Sequence, residues 1–194
     1  MEHYYSKKPI TESNEKTIKF TIFNHQFIFK TDNSVFSKNK VDLGTEILLK
    51  SFDYQKKAKI IDIGCGYGPI GIVLGHFLKT QIDMIDINER GLALALKNIE
   101  INNVKANVFF SDKYENVKEK YDLIITNPPI RIGKKSVLEI LLKAKDYLTK
   151  NGELWFVIHK NGGAKSFEKE LEKEYNIEIV NKSKGFYVFK AQMN

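Results

Sequence analysis

The stretch Lys59-Ile60-Ile61-Asp62-Ile63 reads as a short buried strand, and it runs without a break into Gly64-Cys65-Gly66-Tyr67-Gly68-Pro69-Ile70-Gly71 and the apolar segment Ile72 to Leu78. β-branched run, glycine turn and apolar helix in that order form the first half of a β–α–β unit. Such a unit commits the chain to a parallel strand pair, because the helix must cross over before the next strand begins. Glycines at 64 and 66 allow a tight turn and let a ligand approach the backbone with no Cβ in the way. Pro69 suits the first turn of the helix, where its missing N–H costs nothing. A glycine-rich turn between strand and helix is a nucleotide-type site.

The rest of the chain continues the alternation. Thr17 to Phe23 and Gln26 to Thr31 read as a hairpin around Asn24-His25. Leu43 to Phe52 has helical spacing, with Asp42 placed as its N-cap. Strand 58–63, helix 69–79, strand 81–86, helix 89–102 and strands 105–110 and 121–126 follow. A helix from about Lys134 is expected to run to Leu148 and to stop at Asn151-Gly152. Leu154 to His159, a helix from Ala164 to Tyr175, and strands 177–182 and 186–191 complete the chain. This pattern specifies an α/β, Rossmann-like fold: a mainly parallel seven-stranded sheet with helices on both faces. The last two strands are too close for a crossover and pair as an antiparallel hairpin. Residues 1–40 are expected to form the N-terminal hairpin and a lid segment, and residues 41–194 the nucleotide-type domain.

Which nucleotide the turn holds is decided by the acids. Gly66, Gly68 and Gly71 satisfy G-x-G-x-x-G, and Asp86 lies about 20 residues past the turn, as in dinucleotide folds. Against a nicotinamide cofactor, Asp62 ends the strand before the glycines, where a carboxylate can meet an ammonium group but repels a pyrophosphate. Asp112 follows the strand 105–110, where it can accept from an adenine amino group. The tail after Asn127 is also too short for the substrate domain of an oxidoreductase. A ligand with an ammonium, a ribose and an adenine but no phosphate is S-adenosylmethionine.

Asn127-Pro128-Pro129-Ile130 follows the apolar run 121–126. Paired prolines fix two φ angles and remove two donors, so nearby carbonyls stay free to accept. The Asn side chain adds another acceptor oxygen. Together they form a rigid acceptor cradle for an NH2 group.

With these residues, the chain resembles the class I S-adenosylmethionine-dependent methyltransferases, and most closely the small-subunit ribosomal RNA guanine-N2 methyltransferase family in a single-domain form. The resemblance rests on Asp62 to Gly68 with Gly71, Asp86-Ile87-Asn88, Asp112 and Asn127-Pro128-Pro129. It extends to Val35-Phe36-Ser37-Lys38, Val41 to Thr45, Gly162 to Ser166 and Lys184 to Val188. It implies that Asp62 and the Gly64-Cys65-Gly66 turn hold the methionine end, that Asp86 and Ile87 meet the ribose, and that Asp112 reads the adenine. It further implies that the Asn127 oxygen and the Pro128 carbonyl accept the two N–H bonds of the target amine, with no metal. Phe36, Ser37, Lys38, Arg131 and Lys160 are the implied substrate contacts, and Thr45 is placed to close over the methionine end. Related enzymes usually carry Phe or Tyr after Pro-Pro; Ile130 stands here, so stacking on the base passes to another residue or is replaced by simple apolar contact. His159 reads as structural first and as a site residue second.

Composition agrees. Net charge is +7, almost all of it lysine, which fits an RNA partner through phosphate contacts. Cys65 is the single cysteine, so no internal disulfide forms and the cytoplasm is the expected compartment. No run approaches the roughly 20 apolar residues of a membrane span, and Met1 to Pro9 lacks an apolar signal core. The oligomeric state is open, with a monomer compatible. Adenine-N6 and protein glutamine methylation differ only in the acceptor and stay open, as do a nicotinamide-binding protein and a non-catalytic cofactor-binding assembly factor.

Overall fold

Ile60 to Ile63 and Leu123 to Thr126 are buried at every position, as expected of strands covered on both faces. In the computed structural model, which describes residues 12–54 and 59–194, the elements are β1 (Lys16–Ile22), β2 (His25–Thr31), α1 (Leu43–Ser51), β3 (Ile60–Ile63), α2 (Pro69–Leu78), β4 (Ile82–Asp86), α3 (Glu89–Ile101), β5 (Ala106–Phe110), β6 (Tyr121–Thr126), α4 (Lys134–Lys143), β7 (Leu148–His159), α5 (Ala164–Leu171), β8 (Tyr175–Ser183) and β9 (Phe186–Met193). The reading of Met1 to Pro9 and position 58 of the strand 58–63 lie outside the described residues.

Seven strands form one sheet in the order β5-β4-β3-β6-β7-β9-β8. Neighbours from β5 through β7 are parallel, and β9 runs antiparallel to both β7 and β8. The Rossmann-like expectation holds, including the antiparallel C-terminal hairpin. On one face Ile60, Met84, Ile125 and Val157 join Val73, Leu74 and Leu48 in a core that also takes Phe20, Phe27 and Phe29 from the hairpin. On the other face Ile61, Ile85, Ile124 and Phe156 pack with Val137, Leu141 and Phe167. Helices α1 to α3 therefore cover one side, and α4 and α5 the other.

The helix expected from Ala164 to Tyr175 ends at Leu171, and Tyr175 opens β8; two further local readings need correction. The N-terminal hairpin turns at Phe23-Asn24, one residue earlier than expected, with Ile22 paired to His25 and φ of 49° and 61° at the two turn residues. Two successive positive φ values match the twist of a tight hairpin. Phe23 accepts that conformation because its ring packs edge-on against Tyr54 and Phe77, at 5.3 and 5.4 Å. The second correction concerns α4, which ends at Lys143 and passes through a 3-10 turn, Ala144–Tyr147, into β7. Buried tyrosine hydroxyls donate to its last carbonyls, Tyr114 to Ile140 and Tyr175 to Leu141. Gly152 is then a strand residue at a register irregularity, where a Cβ would stand 2.8 Å from the Tyr121 carbonyl oxygen.

Hairpin and sheet are joined through α3. Asn98 donates to the carbonyls of Lys30 and Tyr67 and accepts from the Lys30 N–H; Asn102, one turn on, does the same for the N–H and carbonyl of Ile28. Two side-chain amides thus extend the ladder of β2.

Candidate methyl-transfer site

Strands β3, β4, β5, β6 and β7 end along one edge of the sheet, and a cleft of about 390 Å³ opens over those ends. Asp86, Ile87, Asp112, Asn127, Pro128, Pro129, Ile130 and Arg131 all line it, with Gly64, Gly66 and Phe36. A smaller hollow of about 60 Å³ adjoins it, walled by Ser37, Asp42, Thr45, Cys65 and the same glycine turn.

The turn is open toward solvent. Gly64 and Gly66 have φ of 72° and 56°, and a Cβ built on either meets nothing within 4 Å. The turn is held from behind by Asp86, whose Oδ2 accepts from the Gly66 N–H at 2.7 Å and Oδ1 from the Asn88 N–H at 2.8 Å. Burial pushes the Asp86 carboxyl above its usual range, and these backbone donors pull it back. Each oxygen keeps lone pairs for further donors, as a ribose diol requires. Asn88 caps α3, accepting from Arg90 and Gly91, and donates to the Ser34 carbonyl. That last bond ties the 32–42 loop to the cleft.

Asp62 departs from expectation. It lines neither cavity and is fully buried, with Oδ2 accepting from the Gly71 N–H at 3.0 Å and Oδ1 without a partner among the described residues. Burial, partly offset by Gly71 and reinforced by the charge of Asp86, raises its pKa to about 7. Lys38 lies outside both cavities and donates to Asn33 in its own loop, and Lys160 is exposed outside them. Ser37 faces only the smaller hollow, its hydroxyl donating to the Lys40 carbonyl. Cys65 is buried, and burial with the charges of Asp86 and Asp62 pushes its thiol well above the usual range, so it is no nucleophile.

At the acceptor end, both hydrogens of the Asn127 amide are engaged: Nδ2 donates to Asp42 Oδ2 at 2.9 Å and to Thr45 Oγ1 at 3.0 Å. Its oxygen is left for the cleft. The aromatic wall that Ile130 does not supply comes from elsewhere. Phe36, 45% exposed and so not a core residue, borders both cavities. Phe186, at the start of β9, lines the cleft edge-on to His159 with ring centroids 4.8 Å apart. From the sequence His159 reads as structural first, and Phe186 only as part of the Lys184 to Val188 stretch of the resemblance, with no role of its own. Ile140, Ile132 and Val157 complete the apolar lining and were also missed, because their spacing reads only as core. Among the described residues, no group of three or more His, Cys, Asp or Glu side chains gathers as a metal site, and no helix is long and apolar enough to cross a membrane.

The profile of the methyltransferase small domain family matches residues 26–190. This chain belongs to that family. It is a class I S-adenosylmethionine-dependent methyltransferase of the type of ribosomal RNA small subunit methyltransferase C, and S-adenosylmethionine is its methyl donor. The open cradle at Gly64 and Gly66 and the free lone pairs of Asp86 fit that donor. Uncharacterized protein YbxB of Bacillus subtilis (strain 168) is 43% identical over 98% of each chain. Ribosomal RNA small subunit methyltransferase C of Pasteurella multocida is 38% identical over 63% of this chain and 39% of that protein. The chain thus spans about two fifths of that curated relative's length. Among solved structures, a T. thermophilus 16S rRNA N2-guanine methyltransferase in complex with AdoMet and guanosine superposes with a TM-score of 0.83 at 20% identity, covering 96% of this chain and 52% of that one. A Pyrococcus abyssi tRNA uracil methyltransferase gives 0.63 at 22%, covering 92% and 44%.

Proposed function

We propose that the enzyme methylates the exocyclic N2 of a guanine in small-subunit ribosomal RNA. The observation that carries this reading is that the Asn127-Pro128-Pro129 cradle borders the same cleft as Asp86 and Asp112. The glycine turn and the small hollow beside Thr45 and Asp42 would take the methionine end, Asp86 the ribose hydroxyls, and Asp112 the adenine amine. Bound there, the donor supplies an electrophilic methyl whose bond to sulfur breaks as the bond to the amine nitrogen forms, leaving a neutral thioether and one proton. Asn127 Oδ1 and the Pro128 carbonyl accept the two N–H bonds of the target amine. They draw its lone pair out of conjugation and stabilise the positive charge that develops on nitrogen. The proton leaves to solvent. Phe36 and Phe186 would flank a base turned out of its stack. Within the N-terminal part, 1–40, the described residues from 12 onward would act as hairpin and lid for the catalytic part, 41–194.

Charge supports RNA over a protein acceptor. Segments 33–41, 130–135, 160–166 and 182–186, each of which holds or adjoins a residue lining the cleft, contain no acid and expose Lys40, Arg131, Lys135, Lys160, Lys165 and Lys184, while the lining acids, Asp42, Asp86 and Asp112, lie outside them. Relatives named as small-subunit rRNA methyltransferases, and the neighbour solved with guanosine, favour guanine over adenine. A soluble cytoplasmic enzyme fits such a substrate.

The test is transfer of tritiated methyl to small subunits purified from a strain lacking the gene, followed by nucleoside mass spectrometry. N2-methylguanosine is expected; label in N6-methyladenosine or in protein overturns the assignment. Asn127→Ala should lower turnover by about 100-fold or more while leaving donor affinity nearly unchanged.

A further inference from the structure

We propose that Asp42, together with Thr45, is the positioning residue that fixes which end of the Asn127 amide meets the acceptor; the inference rests on the acceptor-cradle reading above. An asparagine side chain exchanges its oxygen and NH2 group by a half-turn about its last torsion. Facing the cleft with NH2, Asn127 would donate toward an amine that is itself a donor, and the cradle would repel the group it has to hold. Orientation therefore decides function, and Pro128 and Pro129 do not set it, because they fix only backbone.

Asp42 sets it by presenting an acceptor that is itself fixed, since the same Oδ2 also takes the Thr45 N–H. A carboxylate only accepts hydrogen bonds, and its Oδ2 lies 2.9 Å from Asn127 Nδ2. The reversed amide would put an oxygen at that distance from a carboxylate oxygen. Thr45 Oγ1 takes the second hydrogen at 3.0 Å, so both donors of the amide are occupied on the side away from the acceptor.

The pair is itself fixed by the first turn of α1. Asp42 is the N-cap, its Oδ2 also accepting from the Thr45 N–H at 3.2 Å, and Thr45 is 4% exposed. Gly44 between them leaves room for Phe186, whose ring would stand 2.8 Å from a Cβ there. One helix start thus fixes the amide and seats the aromatic wall. The consequence is selectivity: an acceptor atom without hydrogens, such as a carbonyl oxygen or a ring nitrogen, finds only oxygen facing it.

Asp42→Ser separates the two duties of the residue. Serine caps a helix about as well as aspartate but is too short to reach Asn127. Asp42→Asn keeps an oxygen for both partners and serves as the conservative rescue. With full-length enzyme and small subunits from the deletion strain, Asp42→Ser is expected to lower kcat about tenfold or more, with any rise in KM for S-adenosylmethionine smaller than the loss in kcat. Asp42→Asn should restore most of the rate. In an Asn127→Ala background, Asp42→Ser should have no further effect, because its partner is gone. A wild-type kcat in Asp42→Ser, a loss confined to KM for the donor, or an equal loss in both backgrounds overturns the proposal. Should Asn127→Ala turn over normally, or the wild type leave the particles unlabelled, the cradle or substrate reading fails instead. The Asn127 side-chain amide then decides by NMR: its protons should exchange with water at least tenfold faster in Asp42→Ser, and unchanged exchange overturns the positioning role.

Discussion

Replacing Asn98 with alanine should cost about 3 kcal/mol, far more than the same change at Asn102, although both residues make the same pair of bonds to β2. Asn98 is fully buried. Its loss strands the Tyr67 carbonyl in the interior and the N–H and carbonyl of Lys30 at a partly buried position. An abandoned buried group costs about 1–3 kcal/mol. Taking about 2 for Tyr67 and about 1 for each Lys30 group, less about 0.6 for the better helix propensity of alanine, leaves roughly 3 kcal/mol. Asn102 bonds to Ile28 groups that face water, so solvent replaces the lost partners and the cost falls to about 1 kcal/mol or less. Asn98→Asp supplies a control on direction. It keeps the acceptor for Lys30 N–H but sets an oxygen against two carbonyls, so it should be at least as damaging as alanine. Urea unfolding reads all three: with m of about 2–3 kcal/mol/M, Asn98→Ala lowers the midpoint by roughly 1–1.5 M. The effect should spread to function, because the loop after β2 carries Phe36 and is tied down by the Arg90–Asp32 pair at 3.1 Å. Equal losses at 98 and 102, or an innocuous Asn98→Asp, would refute the claim that two helical amides hold the hairpin.

Three further outcomes are expected. The Asp62 carboxyl has a folded-state pKa of about 7, above its unfolded value, so its contribution is fully present below about pH 4 and is lost as pH rises through 7. Unfolding free energies of wild type and Asp62→Asn from urea titrations should diverge across pH 4–7 by up to about 1.4 kcal/mol per pH unit, with the wild type losing ground as pH rises; parallel profiles would show that Asp62 does not titrate there. Asp86→Ala should weaken S-adenosylmethionine binding at least about tenfold by calorimetry, since the two charge-assisted bonds proposed to the ribose would be lost along with the tie to Gly66; normal affinity removes its ribose role. Gly44→Ala sets a Cβ 2.8 Å from the Phe186 ring and 2.9 Å from Asp42 Oδ2, so it should raise KM for the RNA acceptor and lower kcat together, and an unchanged KM would take Phe186 out of the acceptor wall.

What could be read from the sequence, and what could not, divides along the distance between cause and effect in the chain. β3, the glycine turn and α2 were legible because a buried parallel strand is β-branched on both faces and its ligand turn follows at once. The same locality placed Asp86, the last residue of β4, and Asp112, two residues past β5, at the cleft, because both strands had to be parallel to their neighbours. The errors arose where a local signal lost to a distant partner. Asn151-Gly152 carries the signature of a helix stop, but hydroxyls from Tyr114 and Tyr175 end α4 earlier, and Gly152 is needed for the close passage of Tyr121. Asp62 sits at the right strand end for a ligand, but pleating turns it onto the α2 side, where the Gly71 N–H claims it. Phe186 and His159 meet only because β9 returns antiparallel to β7 with those two residues in register. The Asp42–Asn127 contact spans 85 residues and depends on α1 starting beside the end of β6. A strand end tells a reader where a ligand lies; the side chains that aim the chemistry arrive from elements whose only link to it is the tertiary fold.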